Sequence, residues 1–135
     1  PGHRSWRGQE GFDDNARRLC GYLAEFVTGT DTPVDALMAP SDGTVFFVAA
    51  ALRMLGKDPG KDILITGYDN YWGDSRESKF TSALPAATID KKNFDLGARL
   101  VEELIKCEQG LRVKQQQRVK GELILPAAVG ALAAG

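Results

Sequence analysis

At 135 residues the chain has the length of one domain, enough to bury roughly two-thirds of its unfolded surface. Hydrophobic content of 43% and charged content of 26% are ordinary for a globular protein, and a net charge of -1 with a pI near 5.9 leaves no electrostatic footprint for nucleic acid. No run reaches the ~20 apolar residues that span a bilayer, and the chain opens at Pro1 without a Met or a signal peptide, which reads as processed or trimmed.

Residues 1–11 are polar and loop-like. Asp13 and Asp14 can charge the start of a helix running to about Phe26, with Leu19, Tyr22, Leu23 and Phe26 at helical spacing. A turn-rich stretch from Thr28 to Pro33 ends it, and Val34 to Ala39 reads as a strand. Ser41 or Asp42 can cap the next helix, Thr44 to Leu55, which is apolar nearly all round and so is expected to be covered on more than one side. Gly56 stops it, and Asp62 to Thr66 is a β-branched strand of the continuous kind found in parallel sheets. A long polar loop from Asn70 to Leu84 carries Tyr71, Trp72, Arg76 and Phe80, and Ala86 to Ile89 reads as a third strand. Asn93 to Glu108 is an amphipathic helix, Arg112 to Lys120 a basic loop interleaved with Gln, and Gly121 to Leu125 a last strand. The tail 127–135 is small and apolar, expected to be disordered or foreign to the natural protein.

Alternating strands and helices argue for an α/β fold with a mainly parallel sheet. Cys20 and Cys107 lack a C-x-x-C spacing and read as free thiols of a reducing, cytoplasmic setting.

Enzyme chemistry finds no support. Gly56 to Lys61 is one residue short of a phosphate loop and lies between helix and strand, the reverse of the required order. There is no G-x-G-x-x-G after a strand, no G-x-S-x-G elbow, and no zinc or calcium spacing. Neither a catalytic set, a metal nor a cofactor is expected. The sequence does place acidic residues after two strands, in Pro40-Ser41-Asp42-Gly43 and Gly67-Tyr68-Asp69-Asn70. In open parallel sheets, ligands bind outside those carboxyl ends.

Val34 to Pro126 resembles the C-terminal part of the effector-binding region of LacI/GalR-type transcription regulators, which share the type I periplasmic sugar-binding fold. Asp35-Ala36-Leu37-Met38-Ala39-Pro40-Ser41-Asp42 matches the family's D-A-x-x-A-x-N-D run, with Ser41 where Asn is usual. Gly67-Tyr68-Asp69-Asn70 matches G-[FY]-D-[DN]. Ala87-Thr88-Ile89 with Gly97 matches the T-T-[VI] run and the glycine of the following helix, and Gly121 to Pro126 the final strand. The resemblance implies an incomplete three-layer α/β sandwich over residues 1–126, a partial effector-binding and dimerisation domain. It implies a homodimer that binds a small polar effector, a sugar above all, and meets DNA only through a headpiece outside this chain.

The resemblance gives Asp69 a role in holding sugar hydroxyls; a turn carboxylate that caps local amides is the alternative. Ser41 and Asp42 are ligand candidates that helix capping explains equally well. Asp90 and Lys91 follow the third strand, where the resemblance implies a lining position and a solvated turn is the plainer reading. Trp72 suits stacking on a sugar face or packing on the core. Arg7 falls in a loose match to the Arg-x-x-Gly-Phe motif of the family. A solute-binding protein of a sugar transporter, built on the same fold, is the alternative function.

Overall fold

The computed structural model describes residues 8–29, 34–113 and 116–126. Arg7 and the tail 127–135 lie outside these residues. The elements run α1 (Gln9–Thr28), β1 (Ala36–Met38), α2 (Asp42–Met54), β2 (Leu64–Thr66), two 3-10 turns (Trp72–Asp74 and Arg76–Lys79), β3 (Thr88–Asp90), α3 (Asn93–Glu108) and β4 (Glu122–Ile124).

Helix α1 starts before Asp13, because the Gly8 carbonyl accepts from Phe12 N at 3.0 Å and Gln9 Nε2 donates to Asp13 Oδ1 at 2.7 Å. Its buried side is Phe12 and Ala16, continued by Leu19, Leu23 and Val27, which pack on the core. Tyr22 and Phe26, expected in the same stripe, point outward. Ser41 caps α2, its hydroxyl accepting from Thr44 N at 3.4 Å. The all-round apolarity of α2 has an intrachain cause: the helix lies between α1 and the sheet, with the second 3-10 turn against it. Val45, Val48, Ala49 and Leu52 meet Ile63, Ile65 and Ala39 in the core. Beside that core, Phe12 stacks on Phe47 at 4.7 Å and meets Phe80 at 5.3 Å.

Strands β1 and β2 pair in parallel, Ala36 opposite Leu64 and Met38 opposite Thr66. The chain before β3 joins the other side of β2: Ala86 N donates to Ile65 O, Gly67 N to Ala87 O and Asp69 N to Ile89 O. Then β3 pairs antiparallel with β4. The third strand thus serves two neighbours in succession, which shifts its regular part from the expected 86–89 to Thr88–Asp90.

A parallel sheet is normally covered on both faces. Here Leu37 and Ile65 face α2, whereas Ala36, Met38 (87% exposed) and Leu64 on the opposite face are exposed. Helix α3 is equally bare: none of its residues is buried, and Phe94, Leu100 and Leu104 are 88%, 66% and 68% exposed. Among the described residues the expected sandwich therefore has two layers, with two apolar surfaces left open, as an incomplete domain would present. Cys20 and Cys107 are free thiols, and among the described residues no helix is long and apolar enough to cross a membrane.

Candidate functional site

The carboxyl ends of β1, β2 and β3 converge on one edge of the molecule, and a buried carboxylate ties them together. Asp42, at the start of α2, is fully buried. Its Oδ1 accepts from Thr88 Oγ1 at 2.7 Å, and its Oδ2 from Tyr71 N at 2.8 Å and Trp72 N at 3.2 Å. Its own N donates to Tyr68 O at 2.9 Å. Three donors share one carboxylate, which is how a buried charge is made tolerable. Thr88 Oγ1 also accepts from Asn70 N at 3.2 Å, so the turn after β2 is held from below at several points.

Gly67 is required by space. A Cβ built on it would stand 2.0 Å from Asp42 Oδ1, closer than any real contact. Two residues on, the backbone adopts positive φ, 101° at Asp69 and 56° at Asn70. Asp and Asn are the non-glycine residues that most readily accept such backbones, which explains the Asp-Asn pair at this turn. On the other side of α2's first turn, Tyr71 Oη accepts from Gly43 N at 3.1 Å.

On this platform Asp69 pairs with Lys91: Lys91 Nζ makes an ion pair with Asp69 Oδ1, and that oxygen is buried beneath it. The Lys91 ammonium also lies 5.3 Å from the Tyr68 ring centroid, within cation–π range. Its pKa is raised, chiefly by the bond to Asp69 and against the pull of desolvation. Asp90 turns the other way. Its Oδ1 accepts from Lys92 N at 2.7 Å, and its Oδ2 from Asn70 Nδ2 at 3.3 Å. The backbone bond from Lys92 is the main cause of its lowered pKa. Lys92 takes φ 57° and reaches Glu122 Oε2 at 2.5 Å across the β3–β4 pair, the chief reason its own pKa is raised.

The sequence candidates thus fall into distinct places. Asp69 and Lys91 stand together and half-exposed; Asp42 is buried beneath them; Ser41 caps α2; Asp90 braces the β3 end; Trp72 is half-buried in a 3-10 turn. Thr88 and Gly67 carry geometry that local pattern did not assign to them. A threonine amid small residues at a strand end gives no sign that it will meet an aspartate 46 positions away. Among the described residues, no three His, Cys, Asp or Glu side chains gather as a metal site. An open groove of about 680 Å³ lies at the opposite ends of the strands. There Arg53 is committed to Thr81 Oγ1 and Ser82 O.

Solved structures share this fold. An ABC sugar transporter subunit from Rhodobacter sphaeroides aligns with a TM-score of 0.59 at 18% identity, over 86% of this chain and 39% of its own. A dimeric Lac repressor with an 11-residue C-terminal deletion gives 0.57 at 26% identity, over 84% of this chain and 37% of its own. The Lac repressor dimer bound to operator and an anti-inducer gives 0.58 at 24% identity, over 89% and 37%. The fold is that of the type I periplasmic-binding proteins. The chain spans 37–39% of the length of these type I binding-protein structures. The first comes from a sugar transporter and the others are repressors. No family model and no curated protein matches the chain.

Proposed function

We propose that this chain is part of the ligand-binding domain of a LacI-type transcription regulator that binds a sugar as its effector, without chemistry. The observation that carries the reading is Asp69: a carboxylate at a parallel strand's end, on a positive-φ turn anchored from beneath by Asp42 and Thr88. Backbone strain held in place by buried bonds is characteristic of ligand sites. Asp69 and Lys91 would touch the ligand directly. Ser41, Asp42 and Asp90 would act through the backbone they hold, with Trp72 at the rim; Arg7 is proposed as a ligand contact from the motif match alone. The effector would shift a dimer between two arrangements of its lobes and so alter operator affinity, through a DNA-binding headpiece outside this chain. The bare stripe of α3 and the bare sheet face would be covered by the rest of the same protein.

Repressor likeness at 26% identity and the order of the motifs favour the regulator. The match to the transporter subunit over 86% of the chain favours the second reading, a solute-binding protein. Operator binding by the full-length protein decides between them: release of DNA on adding sugar supports the regulator, and sugar binding by a protein with no affinity for DNA supports the transporter component.

A further inference from the structure

The Asp69–Lys91 pair has a consequence for which ligands fit, resting on the reading that Asp69 faces the ligand. Asp69 Oδ1 is sealed by Lys91 Nζ. The side chains keep 20% and 34% exposure respectively, so the open part of the carboxylate is its second oxygen, to which no described residue donates. Lys91 spends one donor on Asp69 and leans on the Tyr68 ring, leaving donor capacity on an ammonium that carries three. The neighbouring charges are engaged: Asp90 with Lys92 and Asn70, Lys92 with Glu122, Asp42 with Thr88 and two backbone amides. An open acceptor and an open donor therefore stand side by side with their charges mutually cancelled.

We infer that Lys91 sets the ligand class, making this a site for an uncharged vicinal diol and excluding anionic and cationic sugars. A hydroxyl can accept from Lys91 and donate to Asp69 at once, and a neighbouring hydroxyl can repeat the pattern on the remaining lone pair and N–H. A phosphate or carboxylate only accepts, so what it gains from Lys91 it loses against Asp69 at nearly the same range. An ammonium has only donors and meets the reverse balance. A glutamine at position 91 would keep a donor but leave the Asp69 charge uncompensated.

The test is calorimetric titration of the full-length protein with three probe sets: neutral aldoses, their terminal phosphates, and the 2-amino-2-deoxy sugars. The inference expects a neutral aldose to bind at least about tenfold more tightly than its phosphate or amino counterpart. In Lys91→Gln the preference moves about tenfold toward the amino sugar, a change of selectivity that mere loosening of the turn would not produce. Lys91→Arg keeps the wild-type order. A phosphorylated sugar binding as well as its neutral parent, or a selectivity unchanged in Lys91→Gln, overturns the inference while leaving a ligand site at Asp69. Binding of no sugar in any charge state overturns the sugar-binding reading itself, and the inference with it.

Discussion

Replacing Gly67 by alanine places a methyl 2.0 Å from Asp42 Oδ1 and 3.1 Å from Val45 Cγ2. Neither neighbour is the loose end of a flexible side chain: Asp42 is fully buried and Val45 belongs to the core. Gly67 is not among the positive-φ residues, so the cost is steric. Overpacking of this kind costs about 1–3 kcal/mol. If Asp42 yields, the bonds from Thr88 Oγ1, Tyr71 N and Trp72 N are strained together, and a buried donor left without a partner costs about 1–3 kcal/mol. A total of about 3 kcal/mol follows, or roughly 10 °C in Tm for a domain of this size. Gly21→Ala is the control. Nothing lies within 4 Å of its Cβ in the exposed middle of α1, so the better helix former should stabilise by about 0.5–1 kcal/mol. Urea unfolding followed by circular dichroism reads both variants. Gly67→Ala within about 0.5 kcal/mol of wild type, in the ordinary range of surface substitutions, would refute the close approach of β2 to Asp42.

Asp42→Ala removes the acceptor of three donors and, at about 1–3 kcal/mol for a buried donor left unpaired, should cost about 3 kcal/mol or more, with Asp42→Asn milder, by the same unfolding assay. Stability should also vary with pH at both extremes. Lys91 and Lys92 have raised pKa values, so their contribution is complete below the unfolded value near 10.5 and is lost as pH rises through the folded values. Asp90 is lowered, so its contribution is complete above the unfolded value near 3.8 and is lost as pH falls through the folded one. Asp90→Asn should flatten the acid limb and Lys92→Met the alkaline limb of an unfolding-versus-pH curve. In this chain Leu104→Glu should shift stability by less than about 0.5 kcal/mol, because α3 packs on little. Leu52→Ala in the core should cost about 2–5 kcal/mol. A large loss from Leu104→Glu would mean that α3 is covered within this chain.

What could be read from the sequence was what short-range pattern controls. Helix α3 occupies the expected Asn93–Glu108, because an apolar stripe and a stopping Gly110 specify both its face and its end. The Ser41 cap and the strand-end position of Asp69 were legible for the same reason. The start of α1 was not, since Gly8 and Gln9 carry no capping side chain to announce it. Nor was the outward turn of Tyr22 and Phe26, which share a helical spacing with the true stripe but stay 76% and 56% exposed. The role of Asp42 was hidden for another reason. As an N-terminal residue of α2 it looks like a cap, yet its partners come from residues 71, 72 and 88, brought to it only by the parallel crossover. The pairing of Asp69 with Lys91 has the same origin, since each is an ordinary turn residue until the strands lie side by side.

Asp69→Asn in the full-length protein tests the central claim most directly, because asparagine accepts the same positive φ and removes only the charge. Unfolding free energy and affinity for the best-binding neutral sugar are measured on the same preparation. The account expects stability within about 1 kcal/mol of wild type and affinity weakened by about tenfold or more. Unchanged affinity with the fold intact would contradict it, and would place the ligand away from the carboxyl ends of these strands.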